Sequence, residues 1–301
     1  MLPNQWSYLA ALLVFLPIIA ACKKNILRQL FNISGGSAID ASSSVLMLEL
    51  GERHCCFAIA KRENFELLKL LYYETDERGD NLLDEVKLRH EELNNAFGDV
   101  LVNYTFPQSM MIPPRFYNSE DNRTILKAMH GEGAEVSFLS EHLADWQFYN
   151  IYEVPKPAHS WISMQYHSGK YWHHYSLVLK NFSASAGKDF LYVDFKTGQF
   201  SVILVRSNQL HLTQTFVYNG THDAVYYLLK ICNEFSLSQK EVNVVLSGLI
   251  EEQSSLYKEL YNYFINISFQ PVSAKVSLPQ SFSDFPAYYF SSLFNLAACA
   301  S

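Results

Sequence analysis

The feature that most constrains this chain is an internal duplication of element order. Val45 to Leu50, His54 to Ala60 and Phe65 to Tyr73 alternate or run apolar over strand lengths, and compact polar turns such as Gly51-Glu52-Arg53 separate them. They predict an antiparallel meander. Next come a helix over Leu82 to Phe97, a strand over Val100 to Phe106, a helix over Asn118 to His130 and a strand over Ala134 to Leu139. The second half repeats this order. Strands are expected at Asp189 to Phe195, Phe200 to Arg206 and Gln209 to Tyr218, followed by a helix from Asp223 to Phe235. A strand at Val242 to Leu246, a helix at Glu251 to Ile265 and a strand at Ser268 to Val272 complete it. Aligning the two first strands sets Glu49 beside Asp194, Leu50 beside Phe195 and Gly51 beside Lys196. Repeats this long are duplicated subdomains rather than the units of a solenoid.

With 49% hydrophobic and 18% charged residues, 301 residues can bury a full core, which excludes a disordered or fibrous chain. A net charge of -7 gives no overall attraction to nucleic acid or anionic lipid. Five cysteines without a CxxC pair exclude a disulfide scaffold and a zinc ribbon.

Trp6 to Cys22 is almost wholly apolar and ends at Lys23-Lys24. Three readings are open. Ile19-Ala20-Ala21-Cys22 is similar to a lipobox, although no basic residue precedes it; the run is also a membrane anchor at the short limit of spanning length; or it is translated from upstream of the true start. Residues 1–44 are therefore expected to be this segment plus a linker over Asn25 to Ser44, with one lobe at 45–186 and a second at 187–301. The lobes are expected to be cytoplasmic, with membrane association only through residues 1–24 or Cys22.

The duplicated unit, with an acidic residue ending each first strand ahead of a hairpin, resembles the actin, sugar-kinase and heat-shock-protein ATPase superfamily. Asn103-Tyr104-Thr105-Phe106, Gln214 to Tyr218 ahead of His222 to Tyr227, Leu246 to Ile250 and Tyr288 to Phe294 are similar to a bacterial family known as domain of unknown function 3822. The resemblance covers Val45 to the C-terminus. It implies an α/β chain with the duplicated, two-lobed actin-like (ribonuclease H-like) fold, each half a mixed sheet with helices. It also implies a cleft where family ATPases hold ATP and Mg²⁺.

In that superfamily the loops present backbone N–H groups to phosphate, and glycine is needed because a side chain blocks the approach. The first loop, Glu49-Leu50-Gly51, keeps its glycine. The second, Asp194-Phe195-Lys196-Thr197-Gly198, has a lysine at the close-approach position. The third, Ser247-Gly248-Leu249, has one glycine where the adenosine loop typically has two. The resemblance thus marks Glu49, Gly51, Asp194, Lys196, Thr197, Gly198, Ser247 and Gly248 as cofactor-binding positions, two of whose three loops are compromised. Glu49 and Asp194 would orient Mg²⁺ through water in an active enzyme. Lys196 either contacts phosphate as a point charge or marks a decayed site. No residue presents itself as a catalytic base.

Other clusters carry less. His167, His173 and His174 suggest a metal, but neighbours on a strand point to opposite faces. The same alternation separates His54, Cys55 and Cys56. His130-Gly131-Glu132-Gly133 lacks a dinucleotide fingerprint and reads as a turn. The 15% aromatic content is mostly core, and Pro286 to Ala300 has an amphipathic helical cast. The favoured expectation is a non-catalytic or weakly nucleotide-binding pseudo-ATPase scaffold for protein partners, with a homo-oligomer possible. The alternatives are an ATPase or small-molecule kinase using Mg·ATP, and an exported lipoprotein.

Overall fold

The computed structural model describes residues 27–36, 38–76, 82–131, 135–182 and 188–299. The apolar run with Cys22, Lys23 and Lys24 lies outside them, as does part of the Gly131-Glu132-Gly133 turn.

Strands β1 (Arg28–Ser34), β2 (Ser44–Leu50), β3 (His54–Lys61), β4 (Leu67–Glu74), β5 (Asp99–Tyr104) and β9 (Gly169–His173) form one sheet, in the order β1-β4-β3-β2-β5-β9. Strands β10 (Asp189–Lys196), β11 (Gln199–Arg206), β12 (Gln209–Val217), β13 (Asn243–Gly248) and β14 (Asn266–Phe269) form another, in the order β12-β11-β10-β13-β14. The duplication is explicit in this pairing. β2 and β10 are each antiparallel to the strand that follows and parallel to the fourth strand of their unit. Leu48 and Val193 hold the same place in their sheets. The fold is the mixed α/β, duplicated architecture that the resemblance implies.

Three expectations are corrected. Arg28 to Ser34, read as linker, is the edge strand β1, which pairs with β4 and inserts Phe31 and Ile33 into the core. Edge pairing uses backbone groups, so a weakly apolar stretch can supply it. The first unit's fifth strand is β9, not Ala134 to Leu139. That stretch belongs to β7 (Val136–Leu143), which with β6 (Ser109–Ile112) and β8 (Phe148–Pro155) makes a separate sheet, β6-β8-β7, inserted after β5. Lastly, the helix over Leu82 to Phe97 stops as α1 (Leu82–Arg89). His90 adopts φ -133° there, and its ring nitrogen meets the Tyr73 hydroxyl at 2.7 Å.

The sequence parity of each central strand decides what faces the inter-lobe space. Leu46, Leu48 and Leu50 of β2 pack into one core with residues of α1 and α3 (Lys156–Gln165). Val45 and Met47 face the opposite side, against Leu293, Phe294 and Leu296 of the C-terminal helix α7 (Ser291–Ala298). In the second sheet Leu191, Val193 and Phe195 of β10 face α5 (Thr221–Glu234) and α6 (Ser255–Tyr263). Tyr192 faces α4 (His174–Lys180) on the other side. By the two-residue period of a strand, Glu49 therefore points toward α7, and Asp194 and Lys196 point into the same inter-lobe layer. α2 (Asn122–His130) packs on the inserted sheet through Leu126.

Candidate functional site

The carboxylate of Glu49 and the ammonium of Lys196 meet between the two sheets. Lys196 Nζ donates to Glu49 Oε1 at 2.8 Å and to Ser292 Oγ of α7 at 2.9 Å, and lies 3.4 Å from Asp194 Oδ2. Glu49 Oε1 also meets His54 Nε2 at 3.1 Å. Its second oxygen accepts from Asn103 Nδ2 at 2.9 Å and from the Ser292 hydroxyl. Asp194 Oδ1 accepts from Ser247 Oγ at 2.7 Å. Side-chain exposures of 1% for Glu49, 5% for Lys196 and 6% for Asp194 remove the cluster from water.

The cluster's electrostatics follow from this geometry. Burial alone would raise the Glu49 pKa, but the Lys196 charge and the His54 contact hold it well below the ordinary carboxylate value. Burial likewise acts to lower the Lys196 pKa, and the Asp194 and Glu49 carboxylates more than reverse it, raising it above the ordinary lysine value. Both groups are ionised and paired. For His174, 4.0 Å from Asp194, burial dominates and its pKa falls, so its ring is neutral.

The loops around the cluster are bonded to the protein itself. The Gly51 N–H closes its hairpin on the His54 carbonyl at 3.0 Å. A Cβ added to Gly51 would stand 2.4 Å from both His54 Cε1 and Thr105 Oγ1. Thr197 donates to Glu74 of the first sheet, and Arg53 Nη1 would lie 2.5 Å from a Cβ on Gly198, so the two hairpins touch. Gly248 has φ +77°, and the next amide, of Leu249, donates to the Phe195 carbonyl at 2.7 Å. Beside Lys196, a cavity reaching Thr105, His174 and Gln199 holds about 10 Å³, space for roughly one water.

A family profile described as "Protein of unknown function (DUF3822)" matches residues 36–267. The chain belongs to this family. No functionally curated protein matches the sequence. Among solved structures, the DUF3822 chain is similar to a Bacteroides thetaiotaomicron protein with an actin-like ATPase fold and unknown function. That match has a TM-score of 0.69 and 18% identity, and covers 78% of this chain and 94% of that one. It is also similar to a chain of the PilM-PilN type IV pilus biogenesis complex, with a TM-score of 0.50 and 12% identity over 86% and 99% of the two chains. These likenesses establish the actin-like fold.

Of the positions expected to bind nucleotide, the fold brings Glu49, Asp194, Lys196 and Ser247 into one bonded cluster, flanked by Gly51 and Gly248. Thr197 and Gly198 sit apart from it, in the tip that touches the first hairpin. Sequence reasoning missed His54, Asn103 and Ser292. Asn103 carried a usable signal: it is the parallel register partner of Glu49, as Ser247 is of Asp194. His173 and His174 do not share a strand, because β9 ends at His173 and α4 begins at His174, where His173 Nδ1 accepts from the Tyr175 amide.

Proposed function

We propose that this DUF3822 member is a non-catalytic actin-fold scaffold, a pseudo-ATPase in which Lys196 stands where a nucleotide phosphate is held in active relatives of the superfamily. The observation that carries this reading is the Lys196 ammonium, buried and bonded across the lobes to Glu49 and, on α7, to Ser292. The residues present do not fit Mg·ATP. Glu49 and Asp194, the acids that would orient Mg²⁺ through water, are already engaged by Lys196, Asn103 and Ser247. The close-approach position that demands glycine carries a side chain whose charge is already neutralised.

A lobe-to-lobe ion pair of this kind holds one cleft geometry, where nucleotide turnover would alternate two. Such a chain acts through the surfaces it presents, and the likeness to a protein of the PilM-PilN complex supports a role in organising protein partners. Among the described residues no helix is long and apolar enough to cross a membrane. The test is calorimetric titration with Mg·ATP: no saturable heat is expected, and micromolar binding abolished by Asp194→Ala would restore the ATPase or kinase reading.

A further inference from the structure

Strand β12 ends its sheet, with β11 on one side and no described strand on the other. The side it leaves open can be assigned from hydrogen-bond phase. β10 and β11 are joined by a two-residue turn closed by the pair Lys196 and Gln199, and such a turn closes on a hydrogen-bonded pair. The phase then alternates, so Phe200, Val202 and Leu204 exchange bonds with Phe216, Gln214 and Leu212. The Tyr218 amide bonding to the Gly198 carbonyl at 3.1 Å continues the same phase. The backbone groups that face outward therefore belong to Thr213, Thr215 and Val217. No residue of this strand is fully buried, and Val217 is 58% exposed.

Exposed edge strands are ordinarily protected by charge, proline or twist. Gln209 to Val217 contains no lysine, arginine, aspartate, glutamate or proline. Its one irregularity lies between Leu210 and Leu212, outside the Thr213 to Val217 stretch. Beside the strand, a groove of about 450 Å³ runs between β12 and α5, floored by Leu212, Phe216, Tyr227 and Ile231.

We propose that β12 is the homodimerisation edge of this protein, pairing antiparallel with β12 of a second copy about a twofold axis through Thr215. An isologous contact must be self-complementary, and this register is. It sets Thr215 against its own copy and Thr213 against Val217, so every outward hydrogen-bonding position carries a β-branched residue, which favours cross-strand pairs. Roughly six backbone hydrogen bonds form, two for each facing pair. Neutrality selects a second copy as the occupant: in a chain of charge -7, this strand can meet itself without like-charge repulsion. The same register brings Phe216 of one copy beside Gln214 of the other, over the groove, whose rim carries one charge of each sign, Lys230 and Glu234. This inference is independent of what fills the inter-lobe cleft.

Sedimentation of the full chain over rising concentration tests it. The wild type is expected to shift from monomer to dimer. Val217→Lys, which puts a lysine on the open edge at an exposed position, should weaken the dimer by about tenfold or more, with an unchanged melting temperature at dilutions where both chains are monomeric. Thr213→Lys should do the same. Amide exchange at Thr213, Thr215 and Val217 should slow as the dimer fills, which reads the pairing without any substitution. A wild type that stays monomeric throughout, including one whose edge accepts only a foreign peptide strand, would overturn the proposal, as would a dimer indifferent to both substitutions.

Discussion

Lys196 Nζ lies 2.8 Å from Glu49 Oε1, joining the ends of two equivalent strands across the lobes with both side chains out of water. In the duplication Lys196 is the counterpart of Gly51, so a single departure from the repeat provides the charge that neutralises the first lobe's buried acid. Asn103, His54 and Ser292 complete that acid's shell.

Removing one partner of such a pair leaves the other charge buried and unpaired, which costs about 3–5 kcal/mol. Lys196→Ala should therefore lower the melting temperature by on the order of ten degrees, at roughly 2–4 °C per kcal/mol. Combining Lys196→Met with Glu49→Gln and Asp194→Asn leaves no stranded charge, since both buried acids face the lysine, and should recover most of the loss. Thermal melts of the two variants check this, and equal destabilisation by both would contradict it.

Acid and base limits differ by residue. Because the folded state lowers the Glu49 pKa, the stability this group contributes is present above its ordinary value of 4.5 and is lost as pH falls through the folded value. Glu141, on β7, behaves oppositely. Burial raises it from 4.5 to about 7, even though it accepts the His173 amide at 2.5 Å. Its contribution is full below 4.5 and is lost as pH rises through 7. Glu141→Gln should thus gain about 3 kcal/mol over the wild type at pH 8 relative to pH 4.5. Denaturant melts across that range measure it.

Gly248 should tolerate no side chain. A Cβ there would stand 2.1 Å from the Phe195 carbonyl, and its φ of +77° already disfavours other residues. Gly248→Ala is expected to cost at least about 1–3 kcal/mol. Gly131→Ala, with φ +85° but nothing within 4 Å, separates the dihedral cost from the clash and should be milder. Equal effects in urea titrations would argue against close approach at Gly248.

The second lobe was legible nearly strand by strand, because its turns, Thr197-Gly198 and Asn219-Gly220 among them, punctuate clean alternation. The first lobe was less so. Its inserted sheet interrupts the repeat between β5 and β9, and β6 is only Ser109–Ile112, too short for a period to register. In the site, Lys196 was visible as a side chain at a glycine position and Glu49 and Asp194 as strand-end acids, but their direct pairing and the contributions of His54 and Ser292 were not. His54 was set aside for its alternation with Cys55 and Cys56; that rules against a shared ion and says nothing of Glu49, which it meets across the hairpin. Ser292 gave no signal, since only tertiary docking of α7 carries it to residues so distant in the chain.

With Lys196 in the proposed phosphate position, Mg·ATP finds no vacant site between the lobes. The change in melting temperature of the wild-type chain on adding millimolar Mg·ATP tests it most directly, because a ligand that binds only the folded state must raise stability as its concentration exceeds Kd. No shift is expected; a saturable rise of several degrees would show that nucleotide binds and that Lys196 does not fill its place.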